Sequence, residues 1–152
     1  GLPDTLRDVV AEVGPDAIPG IAACALRELF EETGLLVTLH PVAAAVLEAD
    51  QRALLAGEKS FAAVLAGHDA TLDASRLVFA GRWMTPPFAP LRFDNRFFLL
   101  EWPQELPTQP TIVPGELASG EWLDPGIAWA RWRRGGKRTT RRAIHSKGNQ
   151  VI

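Results

Sequence analysis

The chain has 152 residues, 47% hydrophobic and 22% charged, with a formal net charge of −2; this suffices for one domain with a substantial core and points to no second one. Its single cysteine, Cys24, excludes a disulfide within the chain and makes a reducing, cytoplasmic setting the simplest expectation. No apolar run reaches the roughly 18 residues needed to cross a bilayer, and no signal-type segment stands at the start of the sequence.

In chain order, residues 3–13 are expected to form a short amphipathic helix with Leu6, Val9, Val10 and Val13 inward, stopped by Gly14 and Pro15. Residues 21–33 are rich in Ala, Leu, Arg and Glu, which lose little rotamer freedom in a helix, and Gly34 fits the left-handed position that ends one. Ala22, Ala25, Leu26 and Leu29, joined by Cys24, supply an apolar stripe suited to packing on a sheet, so Cys24 reads as packing rather than chemistry. Residues 35–39 are an aliphatic, β-branched run expected to be a buried strand. Residues 42–67 should form one or two helices. Residues 77–85 and 96–102 read as strands, with residues 111–113 and 120–123 as shorter candidates. Asp124 or Pro125 should begin a helix carrying Trp129 and Trp132. Glu101 follows a core strand and is expected to be exposed.

Most of the chemistry lies in Arg27-Glu28-Leu29-Phe30-Glu31-Glu32-Thr33-Gly34-Leu35. On a helix Glu28 and Glu32 stand one turn apart with Glu31 beside them, and like charges at that spacing repel. Something cationic should sit among them. Mg²⁺ or Mn²⁺ is the natural candidate, because hard divalent ions prefer oxygen ligands and bridge carboxylates to phosphates. Arg27, four residues before Glu31, is placed to pair with that carboxylate and hold it in position. On spacing alone, the leading reading is a solvated helix with clustered acids.

The same string resembles the second half of the box that marks the Nudix hydrolases, matching at Arg27, Glu28, Leu29, Glu31, Glu32, Gly34 and Leu35. The first half is absent: Pro19 stands where that box has a glutamate, and Val13 where it begins with glycine. The segments Arg82-Trp83-Met84-Thr85-Pro86-Pro87 and Leu91-Arg92-Phe93-Asp94-Asn95-Arg96-Phe97-Phe98 resemble those of the coenzyme A diphosphatase branch, with Asn95 in place of threonine. That branch interrupts its box, so residues 1–19 are expected to be the end of an insertion or a truncated start. Further on, residues 114–122 and 128–132 look like a late Nudix strand and helix.

The resemblance implies an α/β fold, a Nudix-like α/β/α sandwich around a mixed sheet, here N-terminally incomplete and spanning residues 1–135. It implies a metal-dependent hydrolase that cleaves a nucleoside diphosphate linked to another moiety, with coenzyme A or acyl-CoA preferred. Glu28, Glu31 and Glu32 would hold Mg²⁺ or Mn²⁺, which neutralises charge on the leaving phosphate and activates water. Glu28 and Glu31, with Glu116 as a further ligand or general base, form the expected catalytic set, and Arg27 and Gly34 are structural support. Glu121 competes with Glu116 for that role, and a solvated loop carboxylate is an equal reading of Glu116.

Arg92 and Arg96 are candidates to hold a substrate phosphate bidentately, against the alternative of an Arg92-Asp94-Arg96 surface ladder. Phe88 and Phe93 could stack on an adenine, though aromatics between strands are more often core. His40, His68 and His145 form no ligand set. From Arg131 to Lys147 there are eight Lys or Arg residues and no acid, against eight basic and 18 acidic residues before them. Residues 136–152 are expected to be a disordered basic tail, with nucleic-acid docking as the other reading. The alternative to the enzyme is accordingly a non-catalytic nucleotide- or RNA-binding module. A homodimer is expected if the sheet edge is incomplete.

Overall fold

The computed structural model describes residues 6–8, 13–101, 121–134, 144–145 and 150–151. The fold class is α/β: the described residues include four whole helices and a small sheet dominated by one antiparallel strand pair.

Helix α1 (Ile18–Thr33) organises the molecule. It follows a 3₁₀ turn over Pro15–Ala17 and has Pro19 in its first turn, where a missing N–H costs nothing. It ends at Gly34 with φ 72°, a left-handed residue whose N–H reaches Phe30 O at 2.9 Å. Thr33 closes the same turn, donating its hydroxyl to Leu29 O at 2.7 Å and accepting from Leu35 N at 3.2 Å. Ile18, Ala22, Leu26 and Leu29 form one buried stripe, as the sequence pattern requires. Cys24 is a correction: its helical phase turns it off that stripe and it is exposed.

Two cores meet at α1. The larger joins Leu6, Ile18, Ala22, Leu26 and Leu29 to Leu77, Phe98 and Leu100 of the sheet. The smaller gathers Phe30, Leu36, Leu47 and Val64. Leu29 and Phe30 are about 100° apart around the helix, so successive residues serve opposite cores. The extended segment after Gly34 continues the division. Leu35 and Val37 enter the larger core and Leu36 the smaller one.

That segment is not the strand expected over residues 35–39. Only Thr38 forms a ladder pair, with Leu72, flanked by Leu39 N to Thr71 O and Asp73 N to Val37 O. The alternation of side chains is that of a strand, but the pairing partner is too short to build one. Residues 42–67 do form two helices, α2 (Ala44–Leu55) and α3 (Phe61–Gly67), the latter capped by the Ser60 hydroxyl accepting from Ala63 N.

Strands β1 (Leu77–Met84) and β2 (Asp94–Leu100) pair antiparallel from Leu77↔Leu100 to Met84↔Asp94. A bulge at Ala80 shifts the register, and Gly81 beside it takes φ 141°, a conformation side chains disfavour. Two-residue strands β3 (Glu121–Trp122), β4 (Ile144–His145) and β5 (Gln150–Val151) extend the sheet in the order β1-β2-β5-β4-β3. Helix α4 (Pro125–Arg133) starts where expected, with the Asp124 carboxylate accepting from Gly126 N and Ile127 N. Of the helix expected over residues 3–13, Arg7, Asp8 and Val13 are helical, and residues 3–5 and 9–12 lie outside the described residues, as do residues 111–113 and most of the tail over 136–152.

Candidate functional site

The acidic turn of α1 already contains a cation. The Arg27 guanidinium spans two carboxylates, Nη2 donating to Glu28 Oε1 at 2.6 Å and Nη1 to Glu31 Oε1 at 2.7 Å. The Glu31 pair is the expected i,i+4 contact. The Glu31 side chain is 16% exposed and that of Glu28 46%, so the fork ties one sheltered and one wet carboxylate together. Burial, the largest influence on Arg27, pulls its pKa down, but the Cys24 contact and then the charges of Glu31 and Glu28 outweigh it and raise the pKa. Arg27 therefore stays charged throughout the accessible range.

The turn is also held from behind. Gln51 of α2, 1% exposed, donates Nε2 to both Phe30 O and Glu31 O at 3.0 Å. These carbonyls belong to the last turn of α1, where backbone donors run out: Phe30 O also accepts from Gly34 N, the C-cap. Glu31 is thus fixed through its side chain by Arg27 and through its backbone by Gln51. Glu32 is half-buried on the same turn. Sequence reading missed Gln51; its signal was a polar residue in a helix segment with Leu47 one turn before it, where solvent exposure was the default.

Glu28, Glu31 and Glu32 offer hard anionic oxygens, the donor type that Mg²⁺ prefers. Among the described residues, no three His, Cys, Asp or Glu side chains are gathered closely enough to hold a metal ion. Glu116 lies outside the described residues, and of Glu121 only the backbone, in β3, is described.

The expected arginine pair separates. Arg96 lies on β2 with its side chain 16% exposed, its Nη2 3.4 Å from Asp94 Oδ2. Arg92 is exposed in the loop before β2. Asp94 is claimed mainly by Arg82 across the strand pair, at 2.5 Å from Nε and 2.9 Å from Nη2. The ladder on this face is consequently Arg82-Asp94-Arg96, and the hydrogen bonds from Arg82 hold the Asp94 carboxyl below its ordinary pKa. Phe88 and Phe93, for which a core role was the leading expectation, are both exposed. Glu101 is exposed just past β2, as expected.

One cluster was not anticipated. Asp50 of α2 accepts from Lys59 Nζ at 2.6 Å through Oδ1, and its Oδ2 lies 2.6 Å from His68 Nε2. Hydrogen bonds from Lys59 and then His68 lower the Asp50 pKa. The three residues tie α2 to both ends of α3, and separations of nine and 18 residues carry no local sequence signal. His40 is exposed, and only the backbone of His145 is described.

No helix among the described residues is long and apolar enough to cross a membrane. No protein-family model matches the chain, and neither the curated proteins nor the solved structures compared with it include a match.

Proposed function

We propose that this protein is a metal-dependent hydrolase of the Nudix type, cleaving the diphosphate of a nucleoside diphosphate linked to another moiety, with coenzyme A or its acyl esters as the preferred substrate, on an α/β/α sandwich. The observation that carries the reading is the Arg27 fork on Glu28 and Glu31, set on a turn that Gln51 and Gly34 hold rigid. A carboxylate cluster serves a divalent ion only if its members are kept in place against their mutual repulsion, and the fork does this for two of the three, Glu28 and Glu31.

Glu28, Glu31 and Glu32 hold Mg²⁺ or Mn²⁺ in this reading; when bound, the ion supplies Lewis-acid neutralisation of the diphosphate and acidification of water. Arg27 orients two of the three carboxylates. Glu116 remains the candidate base. Arg92, exposed on its loop, and Arg96, steadied by Asp94, take the outer phosphate oxygens. The exposed thiol of Cys24, outside any disulfide, supports a reducing, cytosolic setting. β1, at the edge of the sheet, is the place for self-pairing in a homodimer.

The test is hydrolysis of coenzyme A, ADP-ribose, NADH and a capped nucleotide with Mg²⁺ or Mn²⁺. Turnover of at least one is expected, lost in Glu32→Gln and lowered about 10–100-fold in Arg27→Ala, which removes a partner of the ligands rather than a ligand. Absence of turnover with either ion, or turnover indifferent to Glu32→Gln, refutes the reading.

A further inference from the structure

Aromatic pairs among the described residues are of two kinds. Phe30 and Phe61 meet at 6.2 Å in the smaller core, and Phe79 and Phe98 meet edge to face at 5.8 Å beside the larger one. Trp129 and Trp132 also stack on each other, at 4.9 Å and 24°, yet they are 59% and 65% exposed. Helix α4, which carries them, has no buried residue. A pre-stacked indole pair presents two flat, polarisable faces already ordered, so a further ring joining the stack loses little entropy.

The surrounding charge names the ring's carrier. Arg131, Arg133 and Arg134 are exposed in the last turn of α4 and just past it. Asp124, at the opposite end of the helix, is engaged as its cap. In the sequence, five more Lys or Arg and no acid follow up to Lys147. Indole faces set among guanidinium groups are complementary to a chain of phosphates that bears accessible bases.

A bilayer surface fits less well, since an interfacial helix segregates an apolar face from a charged one. Here Arg133 lies next to Trp129 around the helix, and Ile127 falls with Arg131 and Arg134 on the side away from the indoles. A duplex fits less well too, because its base faces are not available for stacking.

We propose that α4 is a single-stranded nucleic-acid platform, on which the Trp129–Trp132 stack takes bases and Arg133, next to Trp129 around the helix, takes a flanking phosphate. It does not depend on the hydrolase reading, and its test does not use hydrolysis. Fluorescence anisotropy of the full chain is measured with end-labelled 12-nucleotide single-stranded RNA and DNA of mixed sequence, with the duplex form, and with phosphatidylserine-containing vesicles as competitor. Single strands should bind more tightly than duplex. The double variant Trp129→Ala/Trp132→Ala should weaken binding about tenfold or more, and Trp129→Phe/Trp132→Phe should largely restore it. Arg133→Gln should reduce the slope of log affinity against log salt by about 0.7, the loss of one phosphate contact. None of these residues is in either core, so unchanged far-ultraviolet dichroism serves as the folding control. No binding at low salt, binding untouched by removal of the indoles, or preference for duplex or vesicles overturns the proposal.

Discussion

The last two turns of α1 and the outer half of the β1–β2 hairpin carry similar side chains in opposite surroundings. Leu26, Leu29 and Phe30 are almost wholly buried because α1 lies between two cores and each takes one side of it. Past the bulge at Ala80 the hairpin packs against no such core among the described residues. Trp83, Met84, Phe93 and Phe97 are exposed, and the arm is held by strand pairing and the Arg82–Asp94 ion pair. Hydrophobicity alone therefore does not set burial here; the number of packed layers around an element does. The acidic carboxylates stand on the doubly supported region, and the hairpin arm stands outside it.

The contrast can be broken most severely at Phe30, whose truncation to alanine should cost about 3–5 kcal/mol of unfolding free energy by denaturant titration, because the smaller core has few residues with which to close the void. A smaller loss, about 1–3 kcal/mol, is expected for Gln51→Leu, which takes the amide donor from Glu31 O and leaves Phe30 O with the Gly34 N–H alone. That variant should also loosen Glu31, so on the proposed hydrolase reading turnover should fall further than the melting temperature suggests. Gly34→Ala forces a side chain into the left-handed region and should cost about 1–2 kcal/mol.

The α2–α3 tie sharpens the comparison through pH. Since the folded Asp50 carboxyl has a lowered pKa, its stabilisation is present above the unfolded value of about 3.9 and is lost as pH falls from there through the folded value. Asp50→Asn should be about 1 kcal/mol less stable at pH 7, and the gap to the parent should close in melts below about pH 4. At the other extreme, Trp83→Ala on the exposed arm should change stability by no more than about 0.5 kcal/mol. A large effect there would mean that the arm is covered in solution.

Much of this was legible in the residues. The extent of α1, its glycine stop, the two helices of residues 42–67, both long strands and the Asp124 cap follow from local chemistry, and the structure places them within a few residues of expectation. The Arg27–Glu31 pair was legible for the same reason, being one helical turn. The strand expected at residues 35–39 was not, although its alternation is genuine, because a strand needs a partner and only the neighbourhood of Leu72 provides one. Cys24 was misassigned by treating a helical stripe as broader than its buried arc.

The sequence by itself determined where helices start and stop, which residues are large and apolar, and that three glutamates and an arginine share one turn, because each depends on contacts within about four positions along the chain. Tertiary structure alone decided that Leu29 and Phe30 face different cores, that Gln51 closes the end of α1, that Asp50 gathers Lys59 and His68, and that the hairpin's aromatics stay in water. Those outcomes depend on which distant segments come to lie side by side, and the free energy of that arrangement is shared among contacts that local pattern does not record.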